Sequence, residues 1–183
     1  MNTAEAHWIA DAILQFRKYK KLGEGALAQV ADGDFFRALD PESNSVALIV
    51  KHVAGNMTSR WTDFLTADGE KPGRHRDEEF EARSTDSRES LMAAWEAGWA
   101  TLFEALAPLR GEDLLREVHI RREPHTVVQA VHRQMTHYAY HVGQIVLLAR
   151  HFAGPRWKSL SIPKGRSKEI EVGKDGGTYR PSA

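Results

Sequence analysis

Hydrophobic residues recur along the chain at the three- and four-residue spacing of amphipathic helices. Four segments carry this pattern, and we predict helices near residues 4–30, 44–65, 86–107 and 125–152. Their apolar stripes contain Ile9, Ile13, Phe16 and Tyr19, then Val46, Ile49, Val50, Val53 and Met57, then Leu91, Trp95, Trp99, Leu102 and Leu106, and finally Val131, Met135, Tyr138, Val142 and Ile145. Helices of this length, with almost no strand pattern, predict an all-α four-helix bundle.

Polar and turn-forming residues mark where these helices begin and end. Residues 32–34, DGD, predict a turn, and Thr85 or Asp86 is the expected N-cap of the third helix. The fourth helix is expected to begin between Pro124 and Thr126. Residues 117–121 alternate like a short strand, which is enough for a hairpin and too little for a larger sheet.

Length, charge and composition narrow the class of protein. The 183 residues fit one domain, and the 25 Lys and Arg residues balance the 25 Asp and Glu residues. This balance gives no sign of a nucleic-acid or membrane partner, so we expect a small-molecule substrate. The chain opens without a signal-peptide pattern and has no long apolar run, so a cytoplasmic location is expected. Cysteine is absent, so a transition metal would need imidazole and oxygen ligands.

The predicted fourth helix carries a candidate metal-binding pair. His137 and His141 stand four residues apart, which places their Cβ atoms about 5–6 Å apart on one side of a helix. Both lie at one edge of the apolar stripe, where side chains can point into a crevice between helices. Among nine histidines such a pair is weak evidence alone, because two surface histidines with local hydrogen bonds would give the same pattern.

A third ligand and a comparison with zinc proteases sharpen this hypothesis. His52, one position off the stripe of the second helix, is the best third candidate, although taken alone it fits a histidine at the edge of the core. Zinc proteases with the HExxH motif carry a glutamate base directly after the first histidine. Tyr138 occupies that position here, so this protease class is excluded.

Several motifs together resemble a known family. They are HVAGNM at 52–57, SRWTDFL at 59–65, DGEKP at 68–72, RD at 76–77, HYAYHVGQ at 137–144 and WKSLSIPK at 157–164. On these motifs the chain resembles a functionally uncharacterised branch of the DinB-like (YfiT-like) superfamily, over roughly residues 5–166. We therefore expect a DinB-like metal-binding bundle over residues 1–166, followed by a mobile tail over residues 167–183.

The resemblance implies a topology, an assembly and a site. The bundle would be up-down-down-up and usually a homodimer, with one ligand from the second helix and an HxxxH pair from the fourth. These positions match His52, His137 and His141 of this sequence. The tryptophans of the predicted third helix are a second reason to expect a dimer, since exposed large aromatics favour association.

A site of three neutral imidazoles keeps coordination positions open, which is typical of catalytic metal centres. Zn²⁺ and Ni²⁺ are the best candidates, and Fe²⁺ and Mn²⁺ also accept imidazole. Relatives in the superfamily include thiol-dependent S-transferases, a mycothiol-dependent isomerase and metal hydrolases. Three interpretations therefore stay open: an enzyme that transfers a low-molecular-weight thiol, a hydrolase that activates water, and a non-enzymatic metal-binding bundle.

Unperturbed histidines titrate near pH 6.5, so metal binding is expected to weaken in slightly acidic solution.

Other polar residues have two interpretations each. Asn56 and Gln144 could orient water or substrate, or could form ordinary helix hydrogen bonds, while Tyr138 is expected to pack in the core and Tyr140 to point elsewhere. The region between the second and third helices is densely charged, through Arg60, Asp63, Asp68, Glu70, Lys71, Arg74, Arg76 and Asp77. This region is either a surface loop held by its own ion pairs or a rim whose arginines receive an anionic group.

Overall fold

The computed structural model describes residues 3–169, and these residues are mostly helical. The helices are α1 (Ala4–Leu27), α2 (Asp32–Phe35), α3 (Val46–Trp61), α4 (Arg88–Leu106) and α5 (Val127–Ala153). The four long helices confirm the predicted segments: α1 begins at the predicted residue, and the other ends differ by one to four residues. Helix α2 is a single turn of helix at the predicted DGD turn. Residues 170–183 of the predicted tail lie outside the described residues.

A two-stranded antiparallel hairpin precedes α5. Strands β1 (Glu117–Ile120) and β2 (Glu123–Thr126) pair from Glu117 opposite Thr126 to Ile120 opposite Glu123. Arg121 and Arg122 form the turn with φ values of 55° and 65°. The alternating pattern therefore predicted β1 correctly, but residues 125 and 126 belong to β2 rather than to the helix.

Serine and threonine side chains cap the long helices. The Thr126 hydroxyl accepts from the backbone N–H of Gln129 at the start of α5, so the helix begins after this residue. Helix α4 is capped by Ser87, whose side chain accepts from the N–H of Ser90. The predicted cap at Thr85 or Asp86 is wrong, because Asp86 accepts hydrogen bonds from Lys51 and from the N–H of Arg83 instead.

The core lies between two helix pairs, α3 with α4 and α1 with α5. Trp95 and Trp99 are 0% exposed, and their rings make a T-shaped contact with centroids 5.6 Å apart. The tryptophans of this helix therefore fill the core, and the argument that they favour a dimer is wrong. None of the helices within residues 3–169 is both long and apolar enough to cross a membrane.

Candidate metal centre

Three histidines meet where α3 faces α5. His52 lies on α3, and His137 and His141 lie one turn apart on α5. Nε2 of His137 lies 3.3 Å from Nε2 of His52 and 3.0 Å from Nε2 of His141. The candidate ligand atoms of all three residues lie within 4.8 Å of one another, which confirms that the fold brings the predicted residues together.

Hydrogen bonds at the far side of two rings fix which nitrogens face this cluster. Nδ1 of His52 lies 2.8 Å from Oε2 of Glu79, and Nδ1 of His141 lies 2.8 Å from Oε1 of Gln144. A carboxylate and an amide oxygen only accept, so both Nδ1 atoms carry the proton. The Nε2 atoms of His52 and His141 therefore present lone pairs toward Nε2 of His137. A neutral His137 has only one N–H proton, so it could donate a hydrogen bond to only one of these two lone pairs.

This geometry fits a divalent metal ion. Imidazole nitrogens bind Zn²⁺ at about 2.0–2.1 Å, so two ligands of a tetrahedral site stand about 3.3 Å apart. The observed Nε2 separations of 3.3 and 3.0 Å are close to that value. Lone pairs that converge at this spacing satisfy each other poorly and suit a shared cation. His52, His137 and His141 could therefore hold one ion.

Glu79 supports the site although nothing in the sequence pattern singled it out. It lies in a 3-10 turn, Asp77–Phe80, inside the charged loop, and it is buried beside His52. Arg74 donates to both of its oxygens, with Nε and Nη2 each at 2.8 Å. Burial alone would raise the pKa of Glu79, but the hydrogen bonds from Arg74 and His52 outweigh it and hold the pKa below its usual range. Glu79 therefore stays ionised and orients the His52 ring.

A glycine on α3 allows this carboxylate to approach. A Cβ atom on Gly55 would lie only 2.5 Å from Oε1 of Glu79. Any side chain at this position would displace Glu79 from its place beside His52. A glycine three positions after His52 thus indicates from the sequence that another group packs closely against α3, although it does not identify that group as Glu79.

Burial keeps His137 and His141 neutral. It is the largest cause that lowers the pKa of His137 to about 3, followed by the nearby His141, His52, Arg60 and Arg74. Burial also lowers the pKa of His141 to about 4, against the opposing effect of its hydrogen bond to Gln144. Neutral imidazole is the form that binds metal, so both residues are in the ligand state well below neutral pH.

A buried hydrogen-bond chain connects α3 and α5 beside the histidines. Nε1 of Trp61 donates to the Tyr138 hydroxyl at 3.0 Å, and that hydroxyl donates to Oδ1 of Asn56 at 3.0 Å. Tyr138 is fully buried, which confirms its predicted packing role, and burial raises the pKa of its hydroxyl. These two hydrogen bonds hold the Asn56 amide in place through its oxygen, and its NH₂ group is left available as a donor.

A cavity of about 410 Å³ opens beside the cluster, and His52, Asn56 and His137 line it. Tyr140 also lines the cavity and accepts a hydrogen bond from Gln144, so the prediction that it points elsewhere is wrong. The remaining lining residues are Arg60, Arg74, Arg76, Arg121, Arg133, Gln134 and Thr136. The volume is within the range of small-molecule sites.

The charged loop is held largely by its own ion pairs, as one of the two interpretations predicted. Glu70 contacts Arg74 at 3.2 Å and Arg121 of the hairpin turn at 3.3 Å. Asp68 accepts from the backbone N–H groups of Arg121 and Arg122, which joins the loop to the hairpin. The loop is not confined to the surface, because the Arg74 side chain is only 5% exposed.

The role of Glu79 can be tested by substitution. Glu79→Gln keeps the shape but removes the charge that orients His52, so metal affinity is expected to fall about ten- to a hundredfold. Competition with a chromogenic chelator measures the affinity. The control is Glu78→Gln, whose carboxylate pairs with Arg83 at the surface, and it should bind metal like the wild type. Equal affinities for both variants would contradict the supporting role of Glu79.

Comparison with known proteins identifies a family. A search of curated proteins finds no significant match to this chain. The family model described as "Protein of unknown function (DUF1572)" matches residues 3–166, which span the whole bundle and all three histidines. This match confirms the family predicted from the motifs. The chain belongs to the DUF1572 family, which is a DinB/YfiT-like family.

Proposed function

We propose that the protein is a metal-dependent enzyme that transfers a low-molecular-weight thiol to a small electrophilic substrate. The observation that carries the proposal is the position of the histidine cluster. His52 and His137 form part of the wall of a 410 Å³ cavity, so an ion held there would be accessible to a small molecule. A purely structural site would instead be closed by a fourth protein ligand. Within residues 3–169, the acidic residue that contacts the cluster is Glu79. It bonds to Nδ1 of His52 and not to the side where the Nε2 atoms meet, so it does not act as a fourth ligand here.

The proposed ion would be Zn²⁺ or Ni²⁺, since both accept three imidazole ligands. A divalent ion with open positions is a Lewis acid, and it lowers the pKa of a thiol or water that binds to it. The chain supplies the rest of the site. Glu79 and Gln144 hold the rings of His52 and His141, and Asn56 offers a donor that Tyr138 keeps in place.

The lining of the cavity favours thiol transfer over hydrolysis. None of the described residues that line it is Asp or Glu, and Glu79 behind His52 is already engaged by Arg74. A hydrolase gains from a carboxylate that takes a proton from water, whereas a thiol needs only to lose its proton. The neighbouring arginines favour the anionic thiolate, because a positive environment lowers a thiol pKa.

The proposal predicts metal-dependent turnover of thiols. Protein purified without a nickel column and then loaded with Zn²⁺ or Ni²⁺ should conjugate at least one of a panel of low-molecular-weight thiols to 1-chloro-2,4-dinitrobenzene. The absorbance change measures the rate, which should fall to the background after chelation and in His141→Ala. Metal-dependent hydrolysis of p-nitrophenyl acetate without thiol transfer would favour the hydrolase instead. No turnover of either substrate at full metal occupancy would favour a non-enzymatic bundle.

We also propose the up-down-down-up topology and a homodimer. The crossover between α3 and α4, residues 62–87, is long enough to return along the bundle, which supports parallel α3 and α4.

Tyr140 and Leu147 are 62% and 66% exposed and lie seven residues apart on α5, so they share one face that a second copy could cover. Sedimentation at micromolar concentration distinguishes a dimer from a monomer.

A further inference from the structure

The cavity beside the histidine cluster is strongly basic. Five of its eleven lining residues are arginines, namely Arg60, Arg74, Arg76, Arg121 and Arg133, and no lining residue is acidic. They come from α3, the charged loop, the hairpin turn and α5, so four separate parts of the chain deliver arginines to one place. Concentrating like charges costs free energy unless anions compensate them.

Carboxylates of the protein compensate only part of this charge. Glu70 contacts Arg60, Arg74 and Arg121, at 3.5, 3.2 and 3.3 Å, and Glu79 bonds to Arg74. Arg76 has a 3.7 Å contact with Asp77, whose side chain is 97% exposed. Five guanidinium groups thus face two shared carboxylates and one solvated one.

Arg60 and Arg133 are the least compensated arginines. Arg60 is 3% exposed, and its Nε and Nη1 have no hydrogen-bond partner among residues 3–169. Burial lowers the pKa of Arg60, and the charges of Arg74 and Arg133 act in the same direction. Within the described part of the chain, Arg133 forms no ion pair although it lines the cavity. Both guanidinium groups would be stabilised by an oxyanion between or beside them.

A buried amide offers a neutral hydrogen-bonding group next to these charges. Gln134 is 2% exposed, lines the same cavity, and has no hydrogen-bond partner for its Oε1 within residues 3–169. Leaving a buried polar atom unpaired is unfavourable, and native proteins seldom do so without a reason. An amide oxygen only accepts, so Oε1 is free to accept a hydrogen bond from a hydroxyl or amine group of a molecule inside the cavity.

We propose that Arg60 and Arg133 form a subsite for the oxyanion group, carboxylate or phosphate, of a small substrate whose other end reaches the metal, and that Oε1 of Gln134 accepts from a hydroxyl or amine group of the same substrate. The proposal rests on the proposed function, because it names the class of substrate for that site. Arginine suits this task, since its planar donors match the oxygens of both groups in pairs. The cavity volume of about 410 Å³ limits the ligand to the size of a small metabolite.

Anion binding can be measured without any enzymatic activity. Inorganic phosphate and succinate are titrated calorimetrically at low ionic strength into the metal-loaded and the metal-free full-length protein. We expect at least one of the two anions to bind both the metal-loaded and the metal-free protein. The anion that binds more tightly shows whether the subsite prefers a phosphate or a carboxylate group. Arg133→Gln should weaken that binding at least tenfold, whereas Gln134→Leu removes only an acceptor and should leave it unchanged. Arg150→Gln, an exposed arginine farther along α5 and outside the cavity lining, should bind like the wild type.

The results for anion binding and for metal binding test the anion subsite and the proposed metal site separately. Arg133 is exposed, so its variant should fold, and Gln134→Leu should melt at or above the wild-type temperature because it removes an unpaired buried polar atom. Retention of metal by both variants, with loss of anion binding in Arg133→Gln alone, is the expected result. The subsite is wrong if Arg133→Gln leaves anion binding unchanged, if anions bind only the metal-loaded form, or if Arg150→Gln weakens binding equally. Loss of metal affinity in the histidine variants, with anion binding intact, would support the subsite independently of the enzyme proposal.

Discussion

Replacing His52, His137 or His141 with alanine should weaken metal binding by about a hundredfold or more, because each residue would supply one of the three candidate protein ligands. Loss of a group that merely supports a ligand already costs about ten- to a hundredfold, and loss of a ligand should cost at least as much. Nε2 of His137 lies within 3.3 Å of Nε2 of both other rings, so all three nitrogens could bind one ion.

Metal content after dialysis measures this effect directly. His75→Ala and His132→Ala are matched controls, because both histidines are exposed and lie outside the cluster. They should keep wild-type occupancy. The wild type should also gain about 2.7 kcal/mol of stability when free Zn²⁺ or Ni²⁺ exceeds the dissociation constant a hundredfold. Full occupancy in His52→Ala, or the absence of any thermal shift in the chelated wild type on adding metal, would contradict the three-histidine site.

The metal-free protein should lose stability steeply as the pH falls from about 6.5 toward 4. Burial lowers the pKa of His137 to about 3 and that of His141 to about 4 in the folded state, whereas the unfolded chain takes up these protons near pH 6.5. The unfolded state therefore binds more protons throughout this window, and the free energy of unfolding decreases with decreasing pH. The loss is on the order of a few kcal/mol, reduced by solvent that still screens both rings.

Denaturant titrations of the chelated protein at a series of pH values measure this loss. Buried carboxylates with lowered pKa values, such as Glu79, should add to it only below about pH 4.5. The double variant His137→Asn/His141→Asn should flatten the curve between pH 6.5 and 4.5. A wild-type stability that stays constant over that interval would show that these rings titrate normally. The lowered pKa values also shift proton competition at these two ligands below the slightly acidic range expected from unperturbed histidines.

Periodicity predicted the parts of this protein that depend on local sequence. The apolar stripes located four helices, and the four-residue spacing of His137 and His141 placed both rings on one side of α5. His52 lay beside the stripe of α3, so its direction toward α5 followed once the helices formed a bundle. The three candidate ligands were therefore accessible to sequence reasoning, with the family resemblance deciding for His52.

Contacts made by irregular segments were not accessible in the same way. Glu79 is 27 residues from His52 and lies in a polar loop without periodicity, so no spacing rule connects the two. Charge alone also suggested a surface loop, whereas Arg74 is buried because Glu79 and Glu70 both bond to it. The apolar stripe also could not decide between core and dimer contacts for Trp95 and Trp99, because such a stripe does not show whether the core or a second copy covers it.

The 85 residues that separate His52 from His137 also determine when in the life of the protein an ion can be captured. His137 is synthesised 85 residues after His52, so until then the growing chain holds only one of the three candidate ligands. The three side chains come together only after α3 and α5 have packed. Any loading of the site would therefore follow the packing of these two helices. An ion that entered such a preformed pocket of imidazoles would then be selected by which metals the cell makes available, rather than by the order in which the chain emerges.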